Sequence, residues 1–124
     1  MSARPLVLVA DDDPDILNLV TLRLERDGYE VLFARDGEDA LEQAFERLPD
    51  LALIDVSMPR LDGYEVTERL REHESTRTIP IILLTARVQE TDVARGMRAG
   101  ADDYVTKPFS AQELRSRVQA ALGR

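Results

Sequence analysis

Three short runs in this chain are almost wholly apolar: P-L-V-L-V-A at 5–10, L-A-L-I-D at 51–55 and I-P-I-I-L-L-T at 79–85. A strand with one wet face alternates apolar and polar residues. A continuous apolar run instead belongs to a strand covered on both faces, as in a parallel sheet. Y-E-V-L-F-A at 29–34 and D-Y-V-T at 103–106 complete five predicted strands, numbered β1–β5 in chain order. Amphipathic segments alternate with them and predict five helices, α1–α5. Asp13 followed by Pro14 is an N-cap with proline at the first helical position; Ile16, Leu17, Val20 and Leu24 share a face, and Gly28 stops α1. Asp36 opens α2, with Leu41, Ala44, Phe45 and Leu48 inward, and Asp62 opens α3 through Val66 and Leu70. The spacing predicts α4 from about Gln89 to Arg98, ending at Gly100. In α5, Ser110-Ala-Gln-Glu113 is a capping box, and Leu114, Val118, Ala121 and Leu122 form the stripe. The polar stretch 72–78 reads as a surface loop.

The order βαβαβαβαβα predicts an α/β fold, a doubly wound parallel sheet with right-handed crossovers. At 124 residues and 44% hydrophobic, the chain can bury a proper core as one domain, expected to span 1–124 with no repeat and no internal linker. Cysteine is absent, which excludes disulfides and thiolate metal sites. Asp plus Glu number 24 against 16 for Lys plus Arg, and the net charge of −8 disfavours direct contact with DNA, RNA or an anionic membrane. No apolar stretch approaches the roughly 20 residues of a membrane span, and the N-terminus is too short for a signal peptide, so a cytoplasmic protein is expected.

In a doubly wound sheet the reactive groups gather at the carboxyl ends of the strands. Here those ends carry Asp11, Asp12 and Asp13 after β1, Asp55 on β3, Thr85 on β4 and Lys107 after β5. Converging carboxylates are costly when buried without compensation, and a divalent cation removes the conflict. Oxygen-only ligands suit Mg²⁺, which seeks phosphate oxygens in turn. A lysine and a threonine hydroxyl suit the same oxygens, and a carboxylate beside a metal can act as a nucleophile. The set points to phosphoryl transfer onto an aspartate.

The residues also match a family. Over essentially its whole length the chain resembles the receiver domain of two-component response regulators, through V-A-D-D-D, L-I-D-V-S-M-P-R-L-D-G (53–63), L-L-T-A (83–86) and Y-V-T-K-P-F (104–109). The resemblance implies a flavodoxin-like (βα)5 sheet of strand order 2-1-3-4-5. It also implies a phosphorylation-activated switch rather than an enzyme, its phosphoryl donor a sensor histidine kinase or phosphotransfer protein. Asp55 would be the phosphoacceptor and Lys107 would pair with the phosphoryl oxygens. Asp12 would bind Mg²⁺ directly and Asp11 through a water, with Asp55 and the Ser57 carbonyl completing the ligands. Thr85 and Tyr104 would be the switch pair, Ala86 would leave room for the phosphoryl group, and the Lys107-Pro108 bond would be cis. Asp13 would cap α1, while Ser57 and Arg87 would tune self-dephosphorylation. The output would be the α4-β5-α5 face. Asp103 and Arg117 match charged positions of a homodimer through that face, whereas Val93 stands where a basic residue is usual. His73 is expected only to be solvated.

Two other readings stay beside the switch. An aspartyl phosphohydrolase would carry D-x-D, but the third residue of Asp55-Val56-Ser57 is Ser. A receiver-like module that is never phosphorylated would lack some of these acidic, Thr or Lys positions, and all are filled. The sequence leaves open the kinase, the stimulus, the output, the oligomeric state, the self-dephosphorylation rate, and whether the chain stands alone or is one domain of a larger regulator.

Overall fold

A computed structural model describes residues 4–86 and 90–123. The strands are β1 (Leu6–Ala10), β2 (Glu30–Ala34), β3 (Leu51–Asp55), β4 (Ile81–Thr85) and β5 (Asp103–Thr106). They form one parallel sheet in the order β2-β1-β3-β4-β5. The helices are α1 (Pro14–Arg26), α2 (Gly37–Arg47), α3 (Gly63–Glu72), α4 (Glu90–Ala99) and α5 (Ala111–Ala121).

The apolar runs are explained by two cores, one on each face of the sheet. Val7, Val9, Leu51, Leu53, Ile82 and Leu84 point to one side, where Leu17, Val20, Leu24, Leu114 and Val118 of α1 and α5 cover them. Their neighbours Leu8, Ala10, Ala52, Ile54, Ile81 and Leu83 point to the other, beneath α2 and α3. Because successive side chains of a strand alternate faces, each central strand must be apolar at every position. β4 begins two residues later than predicted. Ile79 is buried but precedes the strand, and Pro80, with no N–H to give a ladder, offers its carbonyl to the Ala52 N–H at 3.0 Å.

The caps follow the sequence. Asp13, Asp36, Asp62 and Ser110 each accept a backbone N–H of the helix they open. At α3 the pairing is reciprocal, with Glu65 reaching back to the Asp62 N–H, whereas at α5, where the capping box is expected, Ser110 accepts the Glu113 N–H without the return bond. Gly28 and Gly100 sit at φ +94° and +113°, just past α1 and α4. In α2 the inner stripe is Ala40, Leu41 and Ala44. Phe45 and Leu48, expected inward, are 37% and 49% exposed, because the buried stripe is centred one step back around the helix. Phe45 instead meets the ring of His73 edge-on at 4.7 Å, so that histidine is packed as well as exposed. Within 72–78, Thr76 is buried and its hydroxyl donates to the Leu70 carbonyl at 2.6 Å.

α4 is held differently from the rest. Among its described side-chain positions only Gly96 is buried. A Cβ there would lie 2.8 Å from Leu83 Cδ1, so glycine lets the helix approach β4 despite its cost of about 1 kcal/mol in a helix. The carboxyl end is fastened by Arg71, whose guanidinium donates to the carbonyls of Gly100, Arg77 and Ile79 and to Asp102, at 2.7–3.0 Å. Local opening is easiest where few apolar side chains are buried. Backbone amides of α4 are therefore expected to exchange with solvent faster than those of α1. Equal protection of the two helices in hydrogen-exchange mass spectrometry would contradict this.

Candidate functional site

Strand order and register bring the site together. β1 and β3 are neighbours with Ala10 opposite Ile54, so the next residues, Asp11 and Asp55, emerge side by side. β3 and β4 pair Asp55 with Leu84, which sets Thr85 one residue further along. β4 and β5 pair Thr85 with Thr106, and the Lys107 N–H donates to the Thr85 carbonyl at 2.7 Å. All four residues therefore lie at one end of the sheet, although Asp11 and Lys107 are 96 residues apart.

Asp11 is fully buried and both its oxygens are engaged. Oδ1 accepts the Asp13 N–H at 2.9 Å and Oδ2 accepts Lys107 Nζ at 2.8 Å. Asp55, 5% exposed, accepts the same ammonium through Oδ1 at 3.1 Å. Asp12 is exposed, and one carboxylate oxygen from each of Asp11, Asp12 and Asp55 lies within 4.8 Å of the others. That is a set able to hold a cation by oxygen alone. Asp13 stands apart, its Oδ1 accepting the Asp15 N–H at 2.9 Å as the cap of α1.

The charges are unbalanced. Burial, then repulsion from Asp11, raises the Asp55 carboxyl from 3.8 to about 6; Lys107 opposes this and Asp12 adds to it. Burial alone would pull the Lys107 ammonium down, but its bond to Asp11 and the charge of Asp55 outweigh burial and raise it. Lys107 is the only lysine in the chain, all other cationic side chains being arginine. A compact ammonium on a flexible stem fits between two carboxylates where a planar guanidinium does not.

Thr85 is buried at the end of β4. With half-buried Tyr104, Val56, Tyr64, Leu83 and Gly96 it lines a cavity under α4 of about 10 Å³, room for about one water. Ser57 and Ala86 are exposed on the loops after β3 and β4, and the Lys107-Pro108 bond is cis. Asp103 and Arg117 pair within the chain, Arg117 Nη1 donating to both carboxylate oxygens at 2.8 and 2.9 Å. Arg87 and Gln89 lie outside the described residues, and His73 is remote from the site, on the α2–α3 side. Tyr64 escaped the sequence analysis. It is 3% exposed, Arg95 lies over its ring at 4.3 Å and its hydroxyl reaches the Asp92 carbonyl at 3.4 Å. Its place directly after the Asp62-Gly63 cap was the available signal.

A family model described as the response regulator receiver domain matches residues 7–119. The alkaline phosphatase synthesis transcriptional regulatory protein PhoP of Bacillus subtilis is 48% identical over 118 residues, 95% of this chain and 48% of that protein. The DNA-binding dual master transcriptional regulator RpaA of Synechocystis is 45% identical over 120 residues, 97% of this chain and 50% of that protein. The chain thus spans about half the length of the curated relatives it matches. Among solved structures, the receiver domain of the sensor histidine kinase PA1611 from Pseudomonas aeruginosa, with a magnesium ion coordinated in its active-site cleft, superposes with a TM-score of 0.91. It is 34% identical, covering 98% of this chain and all of that one.

The raised Asp55 carboxyl has a consequence for stability. Between 3.8 and about 6 the folded chain keeps a proton that the unfolded chain has released, so this contribution is full below pH 3.8 and is lost as pH rises through about 6. The difference corresponds to about 3 kcal/mol at most, and about 1–2 kcal/mol once solvent at the mouth of the cleft is allowed for. Asp55→Asn in metal-free buffer is therefore expected to raise Tm at pH 7, and the gain should vanish on acidification to about pH 4. Thermal melts across that range check it; a gain independent of pH would contradict it.

Proposed function

The chain belongs to the response regulator receiver domain family, and on that premise we propose that Asp55 is the phosphoacceptor of a signalling switch. The observation that carries this reading is the meeting of Asp11, Asp12, Asp55 and Lys107 at one strand end. The donor is a phosphohistidine on a sensor histidine kinase or phosphotransfer protein. An Asp55 oxygen forms the new P–O bond, the P–N bond breaks, and its electron pair returns to the imidazole. Asp12, Asp55 and the Ser57 carbonyl would hold Mg²⁺, and Asp11 would act on it through a water. The oxygen-only donor set fits that ion, which supplies positive charge to the carboxylates and the incoming phosphoryl oxygens. Asp11, with both oxygens already bonded, suits the indirect role.

Lys107 then exchanges part of its hold on the two carboxylates for the phosphoryl oxygens. Thr85 moves to donate its hydroxyl to one of them, and Tyr104 turns into the space released. Both line the cavity beneath α4, and the weak anchorage of that helix supports α4-β5-α5 as the output face. The chain catalyses its own phosphorylation and turns over no other substrate, and any dephosphorylation it catalyses is tuned by Ser57 and Arg87. We take residues 1–124 as one receiver domain, cytoplasmic beside its donor. Its net charge of −8 keeps these residues off nucleic acid. A homodimer through α4-β5-α5 requires Asp103 and Arg117 to trade their partner within the chain for one across the interface. The pair is exposed, so the exchange costs little.

With acetyl phosphate and Mg²⁺ the chain is expected to gain one base-labile phosphoryl group by intact-mass spectrometry. Chelation or Asp55→Asn should abolish it, and Lys107→Arg should slow it by about 10²-fold. Labelling that survives in Asp55→Asn would refute the assignment. Sedimentation with and without beryllofluoride reads the dimer: a doubled mass supports it, and an unchanged mass removes it.

A further inference from the structure

Between Asp55 and α3 the chain makes a tight loop, and one side of that loop is pressed against the start of α2. The Leu61 N–H donates to the Pro59 carbonyl, two residues back, at 2.9 Å around Arg60, whose φ is +73°. A positive φ is uncommon for a residue with a long side chain, and a γ-turn of this hand is rare and strained. Such backbone persists only where its surroundings over-determine it.

The surroundings here are the first residues of α2. The Gly37 N–H faces the Pro59 carbonyl at 3.4 Å. A Cβ built on Gly37 would fall on the Leu61 carbonyl oxygen and lie 2.8 Å from its carbon. Gly37 is not in the left-handed region, so no turn requires glycine there. It also opens a helix, for which glycine is a poor residue. What glycine supplies is the missing Cβ, which lets backbone rest on backbone. Arg60 adds ion pairs to Asp36 at 3.6 Å and Glu38 at 3.9 Å, but its side chain is 62% exposed, so these contribute little beside the direct contact. At the other end of the loop Gly63 makes a similar contact. Its N–H donates to the Val56 carbonyl at 2.9 Å, and a Cβ there would lie 2.6 Å from the Asp55 carbonyl oxygen.

We propose that Gly37 is a positioning residue for the phosphoacceptor site: by seating α2 on the Pro59–Leu61 turn, it holds the loop that presents the Ser57 carbonyl next to Asp55. The inference rests on the phosphoacceptor reading of Asp55, and the two fail separately. A wild-type chain that takes no phosphoryl group refutes that reading. A wild-type chain that is phosphorylated, with Gly37→Ala unchanged, refutes this one.

The full chain is used throughout. In Gly37→Ala, amides of 57–62 are expected to exchange faster in metal-free buffer. Calorimetric Mg²⁺ affinity should fall by about tenfold or more, as a small misplacement of a ligand set costs that much. Val118→Ala, in the core on the opposite face, lowers Tm but is expected to leave Mg²⁺ affinity and exchange at 57–62 as they were. If Gly37→Ala does not fold, Arg60→Gly decides. It leaves the Gly37 contact in place, relieves the positive φ and removes both ion pairs, so Tm should be kept, and exchange at 57–62 and Mg²⁺ affinity should stay within about twofold of wild type. Mg²⁺ affinity and loop exchange within about twofold of wild type in a folded Gly37→Ala would overturn the inference, as would equal weakening by Val118→Ala or a tenfold weakening by Arg60→Gly, which would put the grip in Arg60 rather than Gly37.

Discussion

Two buried carboxylates, Asp11 and Asp55, share one ammonium. The rest of the carboxyl end of the sheet is arranged around that imbalance. Pairing of β1 with β3 forces the two carboxylates together, since their registers end one residue before each. Lys107 arrives from β5, two strands from β3, and its stem must span the end of β4. Thr85 sits at the end of β4, which the lysine crosses. One positive charge cannot neutralise both partners, so burial keeps the Asp55 carboxyl near 6, and the exposed Asp12 completes a pocket that favours a cation.

Around this site the fold is firm on one side and loose on the other. The loop after Asp55 is gripped by backbone contacts at Gly63 and Gly37, where no side chain intervenes. The helix after Thr85 touches the sheet through Gly96 and is tied at its far end by Arg71. Its neighbour Tyr64 follows Gly63, which itself lies on the Asp55 backbone, so α4 rests on a residue next to that contact as well as on the Thr85–Tyr104 cavity. A switch needs an element with low opening free energy beside a rigid reacting centre, and the distribution of contacts supplies both.

Much of this was legible beforehand because the signals are local. Alternation of faces explains the apolar runs of β1, β3 and β4, and Asp13, Asp36, Asp62 and Ser110 cap the helices they were expected to open. Where the reading slipped, a tertiary contact won. Phe45 follows the helical spacing from Leu41, but the stripe that α2 buries over β1 and β2 is Ala40, Leu41 and Ala44, and Phe45 packs on His73 instead. Thr76 sits in a polar stretch and is buried, because its hydroxyl satisfies the last turn of α3.

The sequence by itself determined the order of elements, the two-sided burial of the central strands and the chemical types present at their ends, all of which follow from periodicity and composition over a few residues. Tertiary structure decided which of those groups touch: that Lys107 bonds both Asp11 and Asp55, that Asp103 and Arg117 pair within the chain, and that Gly37 lies on Leu61. These contacts join residues between 14 and 96 positions apart. They depend on strand order and register, which no short window of sequence encodes.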